Sequence, residues 1–174
     1  MDKQKQPKFR APRRYLILAI AWVVVDQLVK LLVRHTILYR DLHPFLPGLD
    51  LTYVRNTGAA FSIFSDHTWA LALVSLAMSV VLALALWKGL FKHPLGKLTI
   101  TLLLAGAVGN LIDRALRGFV VDMFNVLFMR FAVFNVADIC VVVGGISAGL
   151  YYLLLWDKLE NKGEAAHDCA HADR

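Results

Sequence analysis

Four stretches of this chain are long and apolar enough to cross a lipid bilayer, and nothing else in the sequence limits the fold as strongly. A helix rises about 1.5 Å per residue and the hydrocarbon core is about 30 Å thick, so a span needs roughly 20 mostly apolar residues. Residues 15–33, 69–87, 98–112 and 136–156 qualify. Lipid offers the backbone no hydrogen-bond partners, so each stretch must be a helix. The third is the shortest and turns polar at Asn110, which puts its expected far end at the membrane interface. Of the 174 residues 58% are hydrophobic and 18% charged, against about 25% charged in an ordinary soluble domain. A globule of this size has too little interior to hide such a composition, and disorder needs the opposite one. The first stretch has the basic lead of a cleavable leader. However, Asp26, Gln27 and Lys30 interrupt it and no A-x-A-like exit follows, so it reads as a permanent span. The expected fold class is an all-α membrane protein with four transmembrane helices.

Loop charges orient the bundle. Lys3, Lys5, Lys8, Arg10, Arg13 and Arg14 precede the first span, Lys88, Lys92 and Lys97 lie between the second and third, and Lys158, Lys162 and Arg174 follow the fourth. These 12 basic residues occupy 42 positions, whereas residues 34–68 and 113–135 carry only 6 in 58. The positive-inside rule therefore places both termini in the cytoplasm and the two longer loops outside. Residues 1–14 read as a basic cytoplasmic segment touching anionic lipid, 15–156 as the four-span domain and 157–174 as a polar cytoplasmic tail. The net charge of +6 sits at span ends rather than on one face, so a nucleic-acid partner is not expected. Tyr15, Trp69, Trp87, Tyr151, Tyr152 and Trp156 fall near span ends, where amphipathic rings belong. Cys140 lies in an apolar run and Cys169 in the tail, so neither a disulfide nor a soft-ligand metal site is expected.

The first outer loop, residues 34–68, carries a strand signal. Residues 49–54 (LDLTYV) alternate with β-branched and aromatic side chains, Asn56-Thr57-Gly58 supplies a turn, and 59–64 returns as a second apolar segment. A small β-sheet or hairpin on the outer membrane surface is expected. Ala105, Gly106 and Gly109 in the third span, and Gly145-x-x-x-Gly149 in the fourth, would allow close helix approach.

Against so apolar a background the polar residues carry the information, because a charge in the bilayer is expensive and normally faces a partner inside the bundle. They gather toward the outer half: Asp26 and Lys30; Asn110, Asp113 and Arg114; Asp122; Asn135 and Asp138; Arg55 and Asn56. Asn110 lies three and four residues before Asp113 and Arg114, so one helical face carries all three, and Asn135 and Asp138 likewise share a face. Asp26 and Lys30 have the spacing of an ion pair. Asp138 has no basic residue within four positions, and the 113–135 connection can bring Asp122 beside it. Two carboxyls side by side cannot both ionise cheaply, so they share a proton, one serving as base and the other as acid. Such a pair activates water against an amide without a metal or cofactor. No His-x-x-x-His with an acid supports a zinc peptidase, and Ser62, Ser65, Ser75, Ser79 and Ser147 lack a Lys or His partner. The rival class, a four-span transporter or channel subunit using intramembrane acids, predicts polar groups through the full bilayer depth and a repeat, neither of which is evident. A scaffold joining helices through small residues leaves the outer polar cluster without a purpose.

Taken in order, four blocks resemble the bacterial lipoprotein signal peptidase (signal peptidase II) family. They are Asp26-Gln27-Leu28-Val29-Lys30; Arg55-Asn56-Thr57-Gly58-Ala59-Ala60-Phe61; Gly109-Asn110-Leu111-Ile112-Asp113-Arg114; and Val120-Val121-Asp122-Met123 with Phe134-Asn135-Val136-Ala137-Asp138. The resemblance implies an aspartic endopeptidase of the bacterial cytoplasmic (inner) membrane. Such an enzyme cuts prolipoproteins just before a diacylglyceryl-modified cysteine, near the outer (periplasmic) face. On the matching positions Asp122 and Asp138 are the implied catalytic pair, and Asn56, Asn110, Arg114 and Asn135 support the pair and the substrate. Asp26 and Asp113 are implied to be supporting acids. Met123 departs from the aromatic residue common at that position but supplies no required chemistry. The implied partners are lipid-modified prolipoproteins and membrane lipids, with one bundle sufficing as a monomer.

Overall fold

Each apolar stretch forms one helix, and the two longer loops contribute three strands. The computed structural model describes residues 13–58, 68–91 and 93–159. In chain order the elements are α1 (Arg13–Thr36), β1 (Leu42–Leu46), β2 (Leu49–Asn56), α2 (Thr68–Trp87), α3 (Pro94–Arg117), β3 (Val120–Val126) and α4 (Val136–Leu159). All four helices are long and apolar enough to span a membrane, so the chain is a multi-pass membrane protein.

The third helix is longer at both ends than its apolar stretch. His93 caps it, Nδ1 accepting from the Leu95 amide at 3.2 Å, and Pro94 opens the first turn, where a missing N–H costs nothing. It runs through Asn110, Asp113 and Arg114 to Arg117 because no breaker intervenes and those polar side chains find partners inside the protein. Gly118 ends it in the left-handed conformation (φ 76°), its N–H returning to the Arg114 carbonyl. Of its apolar stretch 56% is buried inside the protein, against 22% in α1, 11% in α2 and 28% in α4. Helix α3 is therefore the central one, packed by α1, α2 and α4, while the other three turn most of their surface outward.

Close approach of α3 to its neighbours depends on glycine. A β-carbon at Gly106 would lie 2.5 Å from the Ala137 carbonyl oxygen and 2.6 Å from Val141 Cγ2, and one at Gly109 would lie 2.7 Å from Asp26 Oδ2. The expectation for the fourth span needs correction. Gly145 and Gly149 have nothing within 4 Å of an added β-carbon, and it is Gly144 that faces α3, at 2.9 Å from Leu103 Cγ. The i,i+4 spacing of Gly145 and Gly149 is right for a contact, but they lie on a face that no helix covers.

The three strands form one antiparallel sheet in the order β1-β2-β3. The alternation at 49–54 does mark a strand, but its hairpin partner precedes it. β1 joins β2 through a turn at Gly48 (φ 84°), with Leu42 opposite Thr52. Residues 59–64, the expected partner, lie outside the described residues. β1 reads Leu-His-Pro-Phe-Leu with every position exposed, so it has no buried face to create a period. Asp122, expected in a short loop, sits instead on β3, opposite Val54 of β2. Val121 and Met123 pack with Val33, Ile37 and Tyr53, which fastens the sheet to the end of α1.

Gly106→Ala is therefore expected to destabilise the protein by about 1–3 kcal/mol through overpacking, whereas Gly145→Ala leaves the melting temperature nearly unchanged. Parallel thermal melts of the two variants in detergent check this.

Candidate active site

The sequence Asn135-Val136-Ala137-Asp138 is the start signal of α4. The Asn135 Oδ1 accepts from the Asp138 amide at 2.9 Å, and Asp138 Oδ2 accepts from the Asn135 amide at 3.2 Å. This reciprocal capping box fixes both side chains relative to the helix, and the helix N-terminus favours negative charge on Asp138. Asn135, fully buried, has side-chain donors left over: Nδ2 donates to Asp122 Oδ1 at 2.6 Å and to Asn110 Oδ1 at 3.3 Å. Asn110 on α3 in turn donates from Nδ2 to Asp138 Oδ1 at 2.8 Å. Asn56, at the end of β2, donates from Nδ2 to Asp122 Oδ2 at 2.9 Å, while its Oδ1 accepts the Gly58 amide and sets the turn. Asp122 and Asp138 are thus tied to each other through two asparagines.

Both carboxyls line one cavity of about 430 Å³, together with Asn56, Asn110 and Arg114. Its remaining wall is mostly apolar, from Phe131–Phe134 and from Ile139 and Val141–Val143 of α4. A second cavity of about 650 Å³ shares Asn56 and Asp122 with the first and adds Arg55, Asn125 and Arg130. Asp122 therefore stands where a mostly apolar chamber meets a more polar one. Arg114 donates to the Gly58 carbonyl at 3.2 Å and to Ser75 Oγ at 3.4 Å. Its Nε is buried and has no acceptor among the described residues.

Asp26 and Asp113 do not line this cavity; they lie behind it. Asp26 Oδ1 accepts the Ala137 amide at 2.9 Å, and Asp113 Oδ2 accepts the Val121 amide at 3.0 Å. One carboxylate thus pins the start of α4 and the other the start of β3, the two elements that carry Asp138 and Asp122. Lys30 Nζ lies between them, 2.8 Å from Asp26 and 3.2 Å from Asp113, and donates to Asn110 Oδ1 at 3.0 Å. Gln27 bonds Asp26 and Asp113, and Arg117 bonds Asp113 and Gln27. Spacing identified the Asp26–Lys30 pair but missed that Lys30 also reaches Asn110, and it missed Gln27 and Arg117. The i,i+4 step from Asp113 to Arg117 was a readable signal for the latter. No three His, Cys, Asp or Glu side chains are grouped as metal ligands among the described residues.

Burial drives the Asp122 carboxyl up to about 7, and the charge of Asp138 adds to the rise. The Asn56 and Asn135 donors and the Lys30 charge oppose it. The proton therefore stays on Asp122 well above its ordinary 3.8.

Residues 18–155 match the family described as signal peptidase (SPase) II. The chain is 38% identical over 144 residues to the lipoprotein signal peptidase of Lactococcus lactis subsp. lactis, covering 82% of this chain and 94% of that protein. It is 40% identical over 135 residues to that of Lactiplantibacillus plantarum, covering 76% and 89%. Among solved structures, a bacterial membrane enzyme determined by the in meso method superposes with a TM-score of 0.77 at 29% identity, over 88% of this chain and 94% of that one.

Infrared titration of the protein is expected to show a protonated-carboxyl band, absent in Asp122→Asn, that disappears as pH rises through about 7. Asn56→Ala removes a donor that favours the charged form and should move this midpoint upward. A midpoint at the ordinary 3.8 contradicts the geometry. The unfolded chain releases this proton at the lower value. Folding therefore takes up a proton in between, and the contribution of Asp122 to stability falls as pH rises across that window.

Proposed function

The chain belongs to the signal peptidase II family, and on that premise we propose that it is an aspartic endopeptidase. It removes the signal peptide from diacylglyceryl-modified prolipoproteins by cutting just before the lipidated cysteine. The observation that carries this reading is the convergence of Asp122 and Asp138 on one cavity, joined through Asn135 and Asn110. The substrate's signal segment and acyl chains live in lipid, which suits the apolar wall from α4. Water must reach the same amide, which suits the more polar chamber that shares Asp122.

The surroundings support one resting assignment. Asp122 carries the shared proton, and Asp138, at the N-terminus of α4, is the carboxylate. Asp138 takes a proton from water as the oxygen adds to the scissile carbonyl carbon, and Asp122 gives its proton to the carbonyl oxygen, forming a neutral gem-diol. Asp138 then protonates the amide nitrogen, Asp122 recovers a proton from one hydroxyl, and the C–N bond breaks to carboxylic acid and amine. Both side chains end as they began. Arg114, which lines the cavity, is the residue to hold a substrate backbone carbonyl, and Asn56 holds the acid. The site lies at the end of the bundle that carries the sheet. With both termini cytoplasmic this is the periplasmic face of the inner membrane, and a monomer in its lipids supplies every residue named.

Purified protein incubated with a lipid-modified prolipoprotein is expected to release the shortened product. Asp122→Asn and Asp138→Asn should each lower kcat by on the order of 10²–10⁴-fold without loss of folding, and metal chelators should have no effect. Near-wild-type turnover by either variant, or loss of activity on chelation, contradicts the mechanism.

A further inference from the structure

We infer that Lys30 is a positioning residue for the catalytic pair: its buried ammonium dictates which way the Asn110 side-chain amide faces, and through that amide it orients Asp138. This rests on the reading of Asp122 and Asp138 as catalytic. Lys30 belongs to α1, has no exposed surface, and does not line the cavity. An ammonium has three protons and no acceptor, and it meets three acceptors here: Asp26 Oδ2, Asp113 Oδ2 and Asn110 Oδ1. Three oxygens thus surround it within 3.2 Å.

The consequence falls on Asn110. An amide presents an oxygen on one side and an NH2 on the other, and the two orientations have the same shape. A donor-only neighbour behind Asn110 forces the oxygen backward, which turns the NH2 forward onto Asp138 Oδ1 at 2.8 Å. The same oxygen accepts Asn135 Nδ2, whose second proton reaches Asp122. With the ammonium gone, the amide loses its donor from behind and is held only by that 3.3 Å bond and by its own bond to Asp138. In the flipped form the amide oxygen faces the Asp138 carboxylate and repels it. Both aspartates then lose orientation while the apolar wall that receives the substrate is untouched. The effect should therefore appear in kcat rather than KM.

The buried ion cluster complicates a simple deletion, because Lys30→Met strands Asp26. Lys30→Met/Asp26→Asn removes one charge of each sign, leaves Asp113 paired with Arg117, and keeps an oxygen for the Ala137 amide. The four proteins to compare by melting temperature, kcat and KM on a lipid-modified prolipoprotein are this variant, Asp26→Asn alone, Asn110→Ala, and the triple combination. Misplaced catalytic groups typically cost about 100-fold in rate. The folded Lys30→Met/Asp26→Asn protein is expected to lose kcat by about that factor, with KM within about threefold of wild type. Asp26→Asn alone, which keeps the ammonium on Asn110 and an oxygen for the Ala137 amide, should lose at least about tenfold less kcat than the double variant. Adding Asn110→Ala to the double variant should cost less than about threefold more, since the relay is already broken.

Three results overturn the inference. These are kcat near wild type in the double variant, an Asp26→Asn loss as large as the double's, or an Asn110→Ala loss that multiplies in full. A double variant that cannot fold also overturns it, because the role of Lys30 is then scaffolding. Asp138→Asn runs in the same assay. If it stays active, the catalytic reading itself fails; if it is dead while the double variant is active, only the role of Lys30 fails.

Discussion

A single ammonium buried where α1 crosses α3 ties together nearly every element that matters to this protein. A charge without exposed surface is tolerated only when paired and hydrogen-bonded, and Lys30 obtains this from Asp26, Asp113 and Asn110. The two carboxylates then use further acceptor capacity on backbone amides. Asp26 takes the Ala137 amide at the start of α4, and Asp113 the Val121 amide at the start of β3. In a bilayer, where burying apolar side chains against one another gains little over burying them in lipid, such directional bonds decide where helices and strands begin. Asp138 follows one residue after Asp26's contact, and Asp122 one residue after Asp113's.

The rest of the architecture serves the contrast between two environments. Gly106 and Gly109 let α4 and α1 come close enough to α3 for these short side chains to reach. The sheet, fastened by Val121 and Met123 against Val33, Ile37 and Tyr53, carries one acid to the boundary between an apolar chamber and a more polar one. An enzyme for a lipid-attached peptide needs both a place where water can enter and a place where acyl chains stay dry.

Much of this was legible in the sequence. Span number followed from apolar length, since lipid permits few alternatives to a helix. The strand at 49–54 showed through its alternation, and Asn135 with Asp138 showed through spacing. What escaped detection depended on contacts between distant segments. β1 has all five residues exposed and therefore no period. Asp122 looked like a loop acid because β3 is a run interrupted by one charge. The extension of α3 to Arg117 was hidden because its polar residues are satisfied by partners that only the folded bundle brings near. Gly144 and Gly145 are indistinguishable until the rotation of α4 is known. The i,i+4 spacing of Asp26 and Lys30 gave the pair but not the third acceptor, which lies on another helix.

The central claim is that Asp122 and Asp138 together grip one oxygen of the reacting centre. The most direct measurement is a crystal structure of the protein with a substrate-like peptide in which a hydroxyl-bearing tetrahedral carbon replaces the scissile amide. The account predicts that hydroxyl within hydrogen-bond distance of a carboxyl oxygen of each aspartate, with the signal-peptide side against α4. A hydroxyl that touches only one of them, or that lies against Ser75 instead, contradicts it.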